Sequence, residues 1–182
     1  MSTATDALLT RCTAQFRMDT PLGPLLLART QAGLAGAWFD SQKHHPEPID
    51  APERSDDPLL AHATAQLRDY FAGAAVVFDV ALDLQGTTFQ QRVWRELLRI
   101  EPGATCSYGA IATRLGTPAA GRAVGTAVGR NPVSIIVPCH RVIGSNGALT
   151  GYAGGLDRKT ALLALERAHG RHRADAVQLE LH

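Results

Sequence analysis

Cys139 lies in the part of this 182-residue chain where the residue types could perform covalent chemistry. It follows an apolar run, VSIIV (133–137), and precedes His140 and Arg141. A cysteine reacts as its thiolate, and a nearby imidazole or positive charge favours that form. The pattern therefore predicts a nucleophilic thiol at the end of a short buried strand over 133–137.

His140 could accept the thiol proton, but consecutive residues of an extended chain point to opposite faces. Direct contact with Cys139 is then awkward, and we expect the imidazole to act through a bridging water or a local kink. A histidine base also needs a partner on its second ring nitrogen to fix its tautomer. We select Glu166, on a predicted C-terminal helix, for this role. Without a wider motif, a satisfied core histidine and a solvated helix carboxylate explain the same two residues.

The charged residues are unevenly distributed, although the net charge is only +1. Residues 1–85 carry 6 basic and 11 acidic side chains. Residues 86–141 carry 7 arginines against 2 glutamates. A basic second half indicates a polyanion-binding face confined to one domain, while accidental clustering on a solvated surface accounts for the counts equally well.

The cellular compartment follows from the cysteines and from the hydropathy of the chain. The 3 cysteines, an odd number at no metal-like spacing, favour reduced thiols over a disulfide framework. No apolar run reaches the roughly 18 residues that a membrane span requires. The N-terminus also lacks a signal-peptide pattern. We expect a cytoplasmic protein without membrane contact.

The first half of the chain predicts a small mixed domain over 1–85, which begins with a loose arm (1–13). Turn signals at 20–23 and 31–33 separate short apolar runs, a pattern typical of an antiparallel meander. Helical spacing follows in 59–73, at Leu60, Ala63, Leu67 and Phe71.

The second domain, 86–170, is predicted to be mostly helical. Thr88 and Gln91 have the spacing of a capping box at its first helix. A short helix over 107–116 and a second one, capped by Thr117 with Pro118 at its first position, form a helix-turn-helix. The small side chains of the second helix suit close approach to a DNA groove or to the protein core. A tail, 171–182, follows, and the fold class is α/β (α+β).

The run Pro138-Cys139-His140-Arg141-Val142-Ile143 resembles the active-site signature of the O6-alkylguanine-DNA alkyltransferases, the methylated-DNA–protein-cysteine methyltransferase family. The similarity extends over 89–166 and is weaker in the first half, where it includes TPLGPL. It implies DNA repair in which Cys139 takes an alkyl group from O6-alkylguanine, or from O4-alkylthymine, in duplex DNA. Each molecule would react once, as a monomer and without a cofactor.

The resemblance also implies roles for single residues. His140 and Glu166 would hold Cys139 as a thiolate, Tyr108 would hydrogen-bond the guanine, and Asn131 would tie a turn to the active-site strand. Arg122 would fill the space left by a base rotated out of the duplex. The remaining residues implied in DNA and substrate binding are Ser107, Ala123, Arg130, Ser134, Val142, Tyr152 and Ala153.

Some members of this family carry zinc in the N-terminal domain. The candidate ligands in this chain are Cys12 and the His44-His45 loop, whose spacing is unsuitable, so we predict no metal site.

Three other functions account for parts of the sequence. A non-catalytic reader of alkylated guanine would lack the acceptor cysteine. A Cys-His hydrolase would turn over repeatedly without needing Arg122. In a plain helix-turn-helix regulator, the PCHRV segment would have no role and would occur by chance.

Overall fold

A computed structural model of the protein describes residues 11–46, 48–74 and 76–179, with side chains described as far as residue 168. Most of the predicted N-terminal arm and the last 3 residues of the predicted tail lie outside these ranges. Within the described residues, we find no helix with the length and apolar character of a membrane span.

The N-terminal half contains the predicted antiparallel meander, with strand order β1-β2-β3. The strands are β1 (Ala14–Met18), β2 (Leu25–Arg29) and β3 (Leu34–Phe39). Helix α1 (Pro58–Phe71) packs on this sheet and begins at Asp57, whose carboxylate accepts hydrogen bonds from the first free backbone amides.

Helix α1 buries a residue that the sequence pattern did not select. Tyr70 is buried, whereas Phe71, which belongs to the predicted helical spacing, is only half-buried. Both positions fit a helical spacing after Leu67, so periodicity alone does not distinguish them.

Strand β3 joins the two halves of the molecule. One edge contacts the extended segment after α1, where the Leu34 amide donates to the Ala81 carbonyl at 2.7 Å. Further along, the Ala37 amide donates to the Pro132 carbonyl at 2.9 Å, just before the segment 133–137. One hydrophobic cluster extends through both halves, so one face of the sheet packs against the segment that carries Cys139.

The C-terminal half is mostly helical, as predicted. Its helices are α2 (Thr88–Leu97), α3 (Tyr108–Arg114), α4 (Gly121–Gly129) and α5 (Leu156–Leu179), and a short parallel pair joins β4 (Cys106–Ser107) to β5 (Val142–Ile143). Helix α5 continues past the predicted boundary at 170. The indole of Trp94 in α2 donates to the Ala127 carbonyl of α4 at 2.9 Å, which fixes the helix-turn-helix on its support.

Two predicted helix starts are wrong in detail. The capping box of α2 is formed by Thr87 and Gln90, one residue before the predicted Thr88 and Gln91. Two threonines are followed by two glutamines, so both pairs have the required spacing. Thr117 makes no side-chain cap, because the proline after it opens a separate 3₁₀ turn (Pro118–Ala120) before α4.

Candidate active site

Cys139 is 4% exposed and begins a 3₁₀ turn, Cys139–Arg141. The predicted strand over 133–137 is wrong, because this segment is a tight loop with local hydrogen bonds, such as that from the Val137 amide to the Val133 carbonyl at 3.0 Å. Ile135 in its middle has φ of +72°, a conformation that β-branched residues rarely adopt. The run is apolar because the loop is buried in the core.

Asn131 organises this loop. Its carboxamide oxygen accepts from the Val133 amide at 3.0 Å, and its amide nitrogen donates to the Val137 carbonyl at 2.8 Å. The same nitrogen lies 2.9 Å from the Sγ atom of Cys139. One side chain therefore closes the loop and also contacts the thiol directly.

His140 and Glu166 form the predicted pair, and neither is exposed by more than 1%. The Nε2 atom of His140 lies 2.8 Å from Oε1 of Glu166. Since a carboxylate can only accept, Nε2 carries the proton and Nδ1 is left as an acceptor. Nδ1 is buried and has no hydrogen-bond partner within the described part of the protein.

Glu166 is the centre of a larger buried network. Arg141 donates to it through Nη2 at 2.8 Å and through Nε at 3.0 Å. The Tyr70 hydroxyl donates to Oε1 at 2.9 Å, and the Gly103 amide donates to Oε2 at 3.0 Å. Gly103 has φ of +80°, so the turn that aims this amide favours glycine.

Burial and hydrogen bonding shift the pKa values of the site residues in opposite directions. Burial raises the pKa of the Cys139 thiol to about 11, and the hydrogen bond from Asn131 only partly offsets this. Burial also lowers the pKa of His140, against the effect of Glu166. Burial alone would raise the pKa of Glu166, but the hydrogen bonds and charges of His140 and Arg141 outweigh it and lower that pKa strongly. At neutral pH the site thus holds a thiol, a neutral imidazole and a carboxylate.

Lys159 is a buried cation that the sequence analysis did not select. Its ammonium donates to the carbonyls of Val142 at 2.5 Å and Thr150 at 2.7 Å, and burial lowers its pKa. The missed signal was helical spacing, since Lys159 and Glu166 lie seven residues apart on the same buried face of α5.

Two of the predicted substrate residues, Ser134 and Val142, lie in the loop and in β5. Val142 is buried, and its carbonyl is already bound by Lys159. Ser134 is buried with its hydroxyl 3.3 Å from the Gln42 carboxamide, and the Ala153 carbonyl accepts from the Lys43 amide at 2.8 Å. Residues 42–43, just after β3, thus contact the wall of the site, a contribution that the motif did not indicate.

Tyr152 lies near enough to Cys139 for a thiolate there to act on its hydroxyl. Burial, followed by the charge that Cys139 would carry as a thiolate, raises the pKa of its hydroxyl well above the usual value. The phenol is therefore neutral and can wall an apolar pocket.

The predicted DNA-binding residues are brought together only in part. Arg122 and Ala123 are exposed at the start of α4, and Arg130 is exposed at its end. The hydroxyl of Ser107 caps α3 by accepting from the Ala110 amide at 3.1 Å. Tyr108 is half-buried, and its hydroxyl donates to the Thr150 carbonyl at 3.1 Å.

The known proteins that this chain resembles decide its family. Residues 14–84 match the model described as 6-O-methylguanine DNA methyltransferase, ribonuclease-like domain, and residues 88–168 match the DNA binding domain of the same description. The methylated-DNA–protein-cysteine methyltransferase of Mycobacterium tuberculosis H37Rv is 52% identical over 151 residues, which is 83% of this chain and 90% of that protein. The chain belongs to this family.

Further relatives agree. The methylated-DNA–protein-cysteine methyltransferase of Methanosarcina acetivorans is 49% identical over 150 residues, covering 81% of this chain and 94% of that protein. The crystal structure of Mycobacterium tuberculosis OGT in complex with DNA matches with a TM-score of 0.79 at 49% identity, over 86% of this chain and 94% of that one. The family resemblance of the PCHRVI segment is thereby confirmed.

We predict that Glu166→Gln lowers the free energy of unfolding by about 3–5 kcal/mol at pH 7, because it leaves the buried Arg141 without its counter-charge. The folded-state pKa of Glu166 is depressed, so its stabilisation is complete above the ordinary value of 4.5 and is lost as the pH falls below it. The deficit of the variant should therefore shrink between pH 5 and pH 3. Urea unfolding across this range, with the exposed Glu101→Gln as control, measures it. A deficit independent of pH would contradict the assigned ionisation.

Proposed function

We propose that this protein repairs duplex DNA by transferring the alkyl group of O6-alkylguanine to Sγ of Cys139, once per molecule. The observation that carries the proposal is the buried series Cys139, His140 and Glu166, which follows a helix-turn-helix with an exposed arginine. Membership of the methylated-DNA–protein-cysteine methyltransferase family supports the same reaction. O4-alkylthymine, whose alkyl group has the same ether chemistry, is a second substrate under this proposal.

The reaction begins with removal of the thiol proton. Nδ1 of His140 is the available base, and a bridging water carries the proton to it from Cys139. The thiolate then attacks the alkyl carbon, the C–O6 bond breaks, and its electron pair passes to the guanine, which takes up a proton. The product is a thioether, and since nothing in the site can cleave it, the protein is consumed.

The neighbouring residues hold the acceptor and the base. Asn131 donates to Sγ, which stabilises the thiolate as it forms. Lys159 fixes the carbonyls of β5 and of the following loop, against which the guanine edge would lie. The hydroxyl of Tyr108, which in the free protein donates to the Thr150 carbonyl with the Gly151 carbonyl also within reach, would turn to the base and assist its departure. Tyr152, Ala153 and Ser134 would line the alkyl pocket.

A stacked base cannot reach a buried thiol, so the nucleotide must rotate out of the duplex at a cost of a few kcal/mol. Arg122 and the small Ala123 lie exposed at the start of α4, where the arginine would occupy the vacated space. Ser107 and Arg130 would contact the backbone next to it. Such contacts are independent of sequence and weaken with salt.

Successive parts of the chain have different roles under this proposal. Residues 1–85 support the catalytic loop, residues 86–170 bind DNA and carry the acceptor, and the tail 171–182 has no assigned role. The protein would act in the cytoplasm as a monomer, without a metal or cofactor.

Intact-protein mass spectrometry tests the proposal. After incubation with excess duplex that contains one O6-methylguanine, we expect the mass to rise by a single methyl group, with the modified peptide mapping to Cys139. Cys139→Ala should gain nothing while still binding DNA. Binding by the native chain without any mass gain would instead favour a non-catalytic reader of alkylated guanine.

Arg122→Ala should slow transfer from duplex DNA by roughly 10- to 100-fold, because the flipped nucleotide loses a few kcal/mol of support. Its reaction with free O6-substituted guanine should change by less than about twofold, because no base has to be flipped. Single-turnover rates on both substrates measure this. Arg95→Ala, which removes an exposed arginine from α2, controls for charge alone. Equal losses on both substrates would remove Arg122 from base flipping.

A further inference from the structure

Tyr70 is a buried ionisable residue to which the reaction described above gives no role. It lies at the end of α1 in the N-terminal half and is 3% exposed. Its hydroxyl donates to Oε1 of Glu166 at 2.9 Å, across 96 positions of the chain. Its ring contacts Phe71 and Phe78, with centroids 5.5 and 5.7 Å away. A core tyrosine thus directs its polar atom at the catalytic carboxylate.

The oxygen that Tyr70 binds is also the one that orients the base. Oε1 of Glu166 accepts from His140 and Arg141, both at 2.8 Å, as well as from Tyr70. Every hydrogen bond to a carboxylate oxygen reduces the negative charge that it can offer to its other donors. The Tyr70 hydroxyl therefore competes with the His140 imidazole for the charge of a single atom.

Tyr70 also forms part of a boundary. A cleft of about 530 Å³ lies between the end of α1 and the catalytic half, and Tyr70, Pro138, Arg141 and Glu166 contribute to its lining. Water in such a cleft can hydrogen-bond to any carboxylate oxygen that lacks a protein donor. The phenol thus supplies a fixed donor where the network borders the cleft.

We propose that Tyr70 is a positioning residue for alkyl transfer, which holds the Glu166 carboxylate towards His140 and limits the charge that it presents to the imidazole. This inference rests on the proposed function. Tyr70 acts through Glu166 and touches neither the thiol nor the substrate. The N-terminal half, which lacks the acceptor cysteine, would thereby set the basicity of the catalytic histidine.

The direction in which removal of the Tyr70 hydroxyl should shift the pKa of His140 follows from the charges around the imidazole. Glu166 supplies the negative charge, and Arg141 and Lys159 supply the positive charges, while Cys139 is the group that His140 deprotonates. Burial and the charge of Glu166 raise the pKa of Tyr70 itself far above neutrality, so its hydroxyl remains a donor at every working pH. Without that donor, Glu166 would stabilise the imidazolium more strongly. The pKa of His140 should then rise.

Tyr70→Phe keeps the ring and removes the hydroxyl that donates to Glu166. We expect the acid limb of the single-turnover rate of transfer from an O6-methylguanine duplex to move up by about half to one pH unit, as for the loss of one hydrogen bond to a charged group. Above that limb the rate should stay within about threefold of the native value, and the affinity for DNA should not change. Rates are measured from pH 4.5 to pH 9.

Phe78→Leu is the matched control, because it loosens the packing around the Tyr70 ring and leaves the hydroxyl in place. A merely structural role would lower stability in both variants and leave both acid limbs where they are, which would overturn the proposal. The imidazole of His140 is also titrated by NMR in the native protein and in both variants. An upward shift confined to Tyr70→Phe would support the proposal, and its absence would overturn it. Failure of the native chain to transfer an alkyl group would contradict the proposed function, while the NMR titration would still show whether Tyr70 limits the charge that Glu166 presents to His140.

Discussion

The carboxylate of Glu166 is the group around which the catalytic half is arranged. An ionised carboxylate that is 1% exposed pays a large desolvation cost unless its oxygens are fully hydrogen-bonded. Here the donors come from helix α1, from the turn at Gly103 and from the 3₁₀ turn that carries His140 and Arg141. Elements distant in the chain must therefore pack in one arrangement before the charge can be buried.

The hydrogen bonds that the buried Glu166 carboxylate requires also set the protonation of His140. Because Glu166 only accepts hydrogen bonds, it directs the proton of His140 to Nε2 and leaves Nδ1 as an acceptor, which the proposed reaction uses as its base. The loop closed by Asn131 places the amide of that side chain 2.9 Å from Sγ of Cys139, and burial raises the pKa of the thiol, which keeps it neutral until a base acts on it. Arg122 and Ala123 are exposed on α4, apart from this buried network. Under the proposed function, DNA recognition would proceed on the surface while the acceptor stays shielded.

The sequence predicted the features that have local signatures. The turn residues between short apolar runs indicated the meander. Two short helical segments in succession indicated the helix-turn-helix, and the motif around Cys139 indicated the chemistry. The apolar run 133–137 led to the wrong prediction of a strand, because a buried loop and a buried strand are equally apolar. The hydrogen bonds of the Asn131 side chain to Val133 and Val137 stabilise the loop.

The parts that could not be predicted depend on contacts between distant segments. Arg141 counted towards a basic surface, yet its guanidinium is buried against Glu166. Tyr70 and Phe71 both continue the apolar face of α1, and only the position of Glu166 explains which of them turns inward. Lys159 was identifiable in principle, since it shares a helix face with Glu166, but an isolated lysine is normally a surface residue.

The state of the His140 ring is the most direct test of this account. Nitrogen NMR of protein labelled with ¹⁵N-histidine distinguishes the two neutral tautomers and the imidazolium. At pH 7 we predict a neutral ring with the proton on Nε2 and a bare Nδ1. A proton on Nδ1, in either the other tautomer or the imidazolium, would contradict the account, because that nitrogen could not then accept the proton of Cys139.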